Sequence, residues 1–149
     1  MKTWPKLPAA LQFARLSPPP SLPGCWYDAD AAETATNFFP WYCRFTAGPK
    51  AGQPMLLEEW QRWITRQAFG WKRNNGRRLF RRILIWVPRK NGKTELLAGV
   101  SHLALLAFEA FGAEVYSIAA HADQASIVFR AAQAMVAHSR QLAEHYEIR

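Results

Sequence analysis

The pattern of apolar and polar positions divides the chain into apolar segments separated by loops. The clearest apolar run, Ile83–Val87, is short, continuous and rich in β-branched and aromatic side chains, which is typical of a parallel strand covered on both faces. Pro88 would end the hydrogen-bond ladder of this strand, because proline has no N–H to donate. A helix-length apolar segment begins at Thr94, and a second strand is predicted at Val115–Ala119. Together these elements predict a β-α-β unit with a right-handed crossover.

The same pattern predicts three other helices. Asp28 is a suitable N-cap for a helix that Pro40 bends or ends. Met55–Phe69 places apolar and aromatic side chains near one helical face, which favours a core position for that face. After the second strand, a helix is predicted from Asp123 to about Ser139. The last residues, 145–149, are predicted to begin a third strand.

Proline and apolar composition set the domain organisation. Most of the prolines fall in residues 1–24, which predicts an arm or linker, and residues 25–149 are predicted to form one α/β domain. No apolar run approaches the roughly 18 residues of a membrane span. Prolines and polar residues also interrupt any signal-peptide core at the N-terminus. The sequence therefore predicts a cytoplasmic protein without a membrane partner.

The segment Pro88–Thr94, with the sequence Pro-Arg-Lys-Asn-Gly-Lys-Thr, lies where the predicted strand turns into a helix. Backbone N–H groups at such a turn form an anion site, with the helix dipole behind them. Gly92 would let the backbone approach phosphate, Lys93 would reach the β- and γ-phosphates, and the Thr94 hydroxyl would bind Mg²⁺. Val87 stands where the usual motif has its first glycine. The match is incomplete, but the strand and helix around it favour a nucleotide site.

Charge adds a second candidate partner. The 149 residues carry a formal net charge of +8 and the pI is about 10.0, which favours a polyanion, nucleic acid first. Six basic residues fall in one short stretch: Lys72, Arg73, Arg77, Arg78, Arg81 and Arg82. This stretch is either a solvated basic loop or a contact for a phosphate backbone, and the second would make affinity fall steeply with salt.

Cysteine and histidine offer no metal site of their own. Cys25 and Cys43 belong to no C-x-x-C pair, and free buried thiols are predicted. The four histidines show no metal-ligand spacing. Any metal is therefore expected to arrive with the nucleotide.

Several motifs, in the same order and spacing, resemble the large terminase subunit of tailed bacteriophages. The resemblance covers about residues 26–149 and rests on Gly52-Gln53-Pro54, Leu57-Glu58-Glu59-Trp60-Gln61, Phe69-Gly70, the 88–94 loop, Ala113–Ser117 and Asp123-Gln124-Ala125. It implies part of a RecA-like P-loop NTPase domain with three α/β/α layers, preceded by a helical segment and the proline-rich arm. Terminases of this kind use an ATPase domain to pump DNA into a procapsid and an RNase H-like nuclease domain to cut it.

The resemblance also implies roles for individual residues. Arg89 matches an arginine proposed to touch the γ-phosphate in cis, where fixed positive charge would stabilise phosphoryl transfer. Arg89 and Lys93 are the catalytic candidates, Thr94 is the metal ligand, and Gln61 is favoured over Gln53 as the adenine contact. The full set of implied nucleotide-binding residues is Gln61, Gln53, Arg89, Lys90, Asn91, Gly92, Lys93 and Thr94. The implied cofactors are ATP and Mg²⁺. The implied partners are double-stranded DNA, the small terminase subunit, the portal protein and other copies of the chain on the portal, in a bacterial host cell.

One residue that the predicted nucleotide site needs is missing from the sequence. No apolar strand ending in Asp or Glu follows Thr94, although a phosphate-loop ATPase needs such an acid to position Mg²⁺. We therefore expect an N-terminal fragment that binds nucleotide weakly and does not turn it over usefully alone. Two alternatives stay open beside this interpretation. The main alternative is a basic DNA-binding module with a vestigial phosphate loop. A small kinase is a third hypothesis, which the basic stretch does not favour.

Overall fold

The computed structural model describes residues 23–106 and 113–146, a mixed arrangement of helices and short strands consistent with part of an α/β domain. The elements in chain order are β1 (Cys25–Tyr27), α1 (Ala29–Tyr42), a 3-10 turn (Gly48–Lys50), α2 (Glu59–Gly70), β2 (Trp71–Arg73), α3 (Lys93–Leu106), α4 (Ala122–His138) and α5 (Arg140–Ala143). Nearly all of the predicted proline-rich arm lies outside the described residues.

Helix α1 begins where its sequence predicts. The Asp28 carboxylate accepts a hydrogen bond from the Ala31 N–H at 2.9 Å, which satisfies one of the donors that a helix start leaves open. The helix continues through Pro40 and ends at Tyr42. Its buried face carries Ala35, Phe38 and Phe39 into the core. The predicted helix is thus confirmed, although Pro40 is not its last residue.

Helix α2 begins at Glu59 rather than at the predicted Met55 because a capping box fixes its first turn. The Glu58 side chain accepts from the Gln61 backbone N–H, while Gln61 Oε1 accepts from the Glu58 N–H at 3.0 Å. Its buried face is Gln61, Thr65, Ala68, Phe69 and Gly70. The predicted aromatic core stripe is confirmed in part: Phe69 is buried and Trp60 packs against the core, but Leu56 is 65 % exposed.

The two predicted parallel strands are wrong. Ile83–Val87 and residues 113–119 have no regular secondary structure, and Leu84, Trp86 and Ile118 are 87 %, 90 % and 91 % exposed. An apolar run becomes a buried strand only where neighbouring backbone completes its hydrogen bonds. Within the described residues β1 and β2 form the one sheet. The β-α-β unit and the predicted third strand are not formed there, since His145 and Tyr146 lie in no strand.

The sheet that does form was not predicted. Strands β1 and β2 are antiparallel, with Cys25 opposite Arg73, Trp26 opposite Lys72 and Tyr27 opposite Trp71. The Tyr27 and Trp71 rings meet edge to face, with centroids 5.0 Å apart. The sheet holds the chain entering α1 against the chain leaving α2.

The core is formed by α1 packed against α2 and by α3 packed against α4, and α1 also meets α3 and α5. The predicted helix after the phosphate loop is confirmed as α3, although its expected C-cap at 111–113 lies almost wholly outside the described residues. The helix predicted from Asp123 is confirmed as α4, within one residue at each end. Phe39 of α1 is fully buried, and a Cβ on Gly99 would lie 2.6 Å from its ring. The two helices therefore approach closely at this glycine.

His102 on α3 is a buried link to α4 and to the end of the described chain. Its Nδ1 lies 3.0 Å from the Tyr146 hydroxyl, and its Nε2 lies 3.1 Å from the Ala132 carbonyl oxygen. Because a carbonyl oxygen only accepts, Nε2 carries the proton and Nδ1 accepts from Tyr146. Burial lowers the pKa of His102, and the Ala132 hydrogen bond partly opposes this shift.

The His102 shift predicts a pH dependence of stability. Since its pKa is lowered on folding, the unfolded chain binds the proton more readily, so stability is full above pH about 6.5 and falls as pH decreases below it. His102→Gln should therefore flatten the dependence of unfolding free energy on pH, measured by urea denaturation at pH 5.5 and 7.5. His138→Gln, at an exposed position, is the control. An unchanged slope in His102→Gln would contradict the assignment.

Both cysteines are free, as predicted. Burial raises the pKa of the Cys43 thiol to about 12, Arg44 opposes the shift and Glu95 adds to it. Cys25 is only half-buried. In the described residues, none of the helices has the length and apolar character that crossing a membrane requires.

Candidate nucleotide site

The predicted phosphate loop is a tight turn that ends at the first residue of α3. Lys90 and Gly92 have positive φ angles of 66° and 71°, so the chain enters the left-handed region twice within three residues. Lys90 is the only residue other than glycine with positive φ in the described part of the chain. Such conformations are costly for L side chains and cluster at functional sites. The backbone of this loop is shaped for more than a simple connection.

Gly92 is required here by space as well as by φ. A Cβ at this position would lie 3.1 Å from Nε2 of Gln61, so the two residues are in close contact. Gln61 itself is buried and held by the α2 capping box. The structure thus brings together Gln61 and the loop, two parts of the site that the sequence separates by some thirty residues.

The Lys93 ammonium group is turned back onto its own loop. It donates to the carbonyl oxygens of Val87 at 2.8 Å and Pro88 at 2.6 Å. The Asn91 side-chain amide also donates to the Pro88 carbonyl, at 3.1 Å. These bonds close the loop around a positive charge. The ammonium therefore stabilises the loop shape internally.

The other predicted site residues differ in their burial and in their position relative to the loop. The Thr94 hydroxyl, on the first turn of α3, is half-buried and makes no hydrogen bond among the described residues. Arg89 and Lys90 are exposed beside the loop. Gln53 lies in the 48–53 turn with an exposed side chain, and its described hydrogen bonds are made by its backbone. Of the two glutamines, only Gln61 contacts the loop.

Glu95 is a residue of this site that the sequence did not reveal. Its Oε1 accepts from the Thr46 N–H at 3.1 Å and from the Thr46 hydroxyl. Its Oε2 is buried and has no hydrogen-bond partner in the described structure. An acidic residue in a first helical turn is a visible signal, but its partner lies 49 positions away. Glu95 anchors the start of α3 to the chain that follows α1.

A cavity of about 770 Å³ lies away from this loop. It is bounded by α3, α4 and residues 113–117, with Leu105, Tyr116, Phe129 and Val136 among its lining side chains. The candidate site is instead an open turn on the surface. Such a turn would bind phosphate through exposed N–H groups and cations, without enclosing the ligand.

The turn at residues 88–94 places Gly92, Lys93 and Thr94 at the start of α3, and comparison with known families adds a separate observation. Residues 59–147 match the family described as terminase large subunit, ATPase domain. This range covers more than half of the chain and includes the loop, so the chain belongs to that family. Comparison with curated proteins and with solved structures gave no match.

Family membership confirms the resemblance drawn from the sequence. It makes the chain a component of a packaging motor of the terminase type. The family implies nucleotide binding, with DNA and the packaging machinery as partners.

Proposed function

We propose that this chain binds ATP with Mg²⁺ at residues 88–94, and that the nucleotide state there is coupled to DNA translocation in the assembled motor. The observation that carries the proposal is the position of Gly92, Lys93 and Thr94 at the start of α3, inside the family match. ATP supplies a phosphoanhydride whose hydrolysis drives movement. Every other part of the proposal concerns groups of this chain.

The loop fits a polyphosphate in charge and in donors. Leu96 N–H donates to the Gly92 carbonyl at 3.0 Å, so the N–H groups of the preceding turn have no acceptor within the helix. Arg89, Lys90 and Lys93 surround these donors with positive charge. Backbone donors and cations are the groups that bind phosphate at helix starts.

Separate roles follow for three side chains. Lys93 would exchange its two carbonyl acceptors for phosphate oxygens, and the Thr94 hydroxyl would bind the metal ion. Arg89 is exposed and would supply fixed positive charge to the γ-phosphate. Asn91 would keep the turn in shape through its bond to the Pro88 carbonyl.

The adenine contacts are assigned to the two glutamines. Gln61 Oε1 is already bound to the Glu58 N–H, which leaves Nε2 as the atom that can donate to a base edge. Gln53 is exposed and could present both amide atoms, although it lies on another turn. The proposed macromolecular partners are double-stranded DNA, the small terminase subunit, the portal protein of a phage and further copies of the chain.

Replacing Lys93 tests the nucleotide proposal. We expect Lys93→Ala to weaken binding of a fluorescent ATP analogue in the presence of Mg²⁺ by about tenfold to a hundredfold, since hydrogen bonds to charged groups contribute about 1.5–3 kcal/mol. Arg140→Ala removes one exposed positive charge far along the chain and should leave affinity unchanged. Equal affinities for wild type and Lys93→Ala would contradict nucleotide binding at this loop.

A further inference from the structure

The turn that follows β2 concentrates positive charge where the chain has no acidic residue to balance it. No Asp or Glu occurs between Glu59 and Glu95. The basic residues in and after the turn are Lys72, Arg73, Arg77, Arg78, Arg81 and Arg82. Except for Lys72, which is half-buried, all of them are exposed. The stretch is thus an accessible cationic surface.

The structure folds this stretch into a hairpin, defined here as residues 71–79. Arg73 N–H donates to the Arg77 carbonyl and Leu79 N–H donates to the Trp71 carbonyl, each at 2.8 Å. Between these two bonds, Lys72 and Arg78 form an antiparallel bridge. The hairpin is anchored at its base, because Trp71 and Leu79 are both buried.

This register sets like charges opposite one another. Lys72 faces Arg78 in a non-hydrogen-bonded pair, the geometry in which opposing side chains are closest. Arg73 lies opposite Arg77, joined by the bond that closes the turn. Like charges directly opposite destabilise a sheet. The Arg78 guanidinium lies over the Phe69 ring, 5.4 Å from its centroid, so the Arg73–Arg77 pair is the one that opposes the folding of the hairpin and indicates a use outside folding.

An arginine on the helix before the hairpin is neutralised by an acidic residue, whereas several arginines of the basic stretch are not. Arg66 on α2 forms an ion pair with Glu33 of α1. Arg73, Arg77, Arg81 and Arg82 take part in no ion pair among residues 23–106 and 113–146. These four arginines, two in the hairpin and two after it, are therefore available to an external anion.

We infer that the 71–79 hairpin, continued by Arg81 and Arg82, binds the phosphate backbone of duplex DNA. The charges are spread along an exposed hairpin rather than gathered around a cavity, which suits a row of phosphates better than a single small anion. Trp26, paired with Lys72 on the neighbouring strand, adds an exposed aromatic side chain on the face of the hairpin that carries Lys72 and Arg78. Because phosphate contacts carry no sequence information, binding is independent of DNA sequence. None of these residues belongs to the nucleotide loop at 88–94.

Removing three charges from the hairpin tests the inference. We compare the triple variant Arg73→Gln, Arg77→Gln, Arg81→Gln with the matched control Lys50→Gln, Arg130→Gln, Arg140→Gln, which lowers net charge equally. Fluorescence anisotropy measures binding to a labelled 30-base-pair duplex over a series of salt concentrations. We expect the hairpin variant to bind roughly tenfold or more weakly, and its plot of log affinity against log salt to be shallower by about 3.

Stability and nucleotide binding separate the possible outcomes. The hairpin variant loses a like-charge pair, so its unfolding midpoint in urea should equal or exceed that of the wild type, and its affinity for the ATP analogue should not change. Equal loss of DNA binding in both triple variants would overturn the inference, because net charge alone would then explain it. Unchanged DNA binding in the hairpin variant, or equal competition by polyglutamate and unlabelled duplex, would also overturn it. None of these results depends on whether Lys93 binds nucleotide.

Discussion

Replacing Phe39 with alanine is expected to lower the free energy of unfolding by about 3–5 kcal/mol, the usual cost of removing a large buried aromatic side chain. Phe39 is fully buried, and its ring lies against Gly99 where α1 meets α3. A cavity there would separate the helix that carries the phosphate loop from the helix that supports it. Urea denaturation followed by circular dichroism measures the change.

Trp41→Ala is the matched control for this experiment. Trp41 lies on the same helix but is 72 % exposed, and surface substitutions usually change stability by less than about 0.5 kcal/mol. If the free energy of unfolding falls equally in both variants, the result would contradict the burial of the Phe39 ring between α1 and α3.

The second large effect concerns Gly92. The Gly92→Ala variant should lose most of its affinity for the ATP analogue. Alanine would have to adopt the positive φ of this position, and its methyl group would lie 3.1 Å from Nε2 of Gln61. We expect a weakening of about fivefold to thirtyfold, since strain of this kind costs about 1–2 kcal/mol. The measurement is a fluorescence titration in Mg²⁺ buffer at fixed ionic strength.

Gly76→Ala separates strain at the loop from strain in general. Gly76 has φ of 75°, so the backbone strain is similar in the two variants. Unlike Gly92, it has open space around the position of the missing Cβ. Nucleotide affinity should fall only in Gly92→Ala. A similar loss in both would mean that reduced stability, and not the geometry of the loop, controls binding.

Local signals predicted the helices because each depends on residues close in sequence. The Asp28 cap and the long apolar pattern of Ala122–His138 needed no distant partner. The sequence likewise placed Gly92 and Lys93 at the start of a helix, while their role in binding phosphate stays a prediction. Their position at the start of α3 is confirmed by the structure.

Elements that depend on distant partners were the ones the sequence could not predict. Ile83–Val87 has a strand-like composition, but no local pattern says whether a neighbouring backbone will pair with it. Strands β1 and β2 are three residues each, too short for alternation to identify. The buried face of α2 includes Gln61 and Thr65, which the apolar pattern did not indicate, because capping and loop contacts orient the helix.

The bonds of Lys93 to Val87 and Pro88 would make the proposed nucleotide binding an exchange of contacts rather than a simple addition. The ammonium acts as an internal competitor, and phosphate must displace two carbonyl oxygens before it gains a cation. Measured affinity is therefore a difference between two sets of contacts. In return the loop keeps its turn without ligand, so little of the binding energy goes into ordering the backbone.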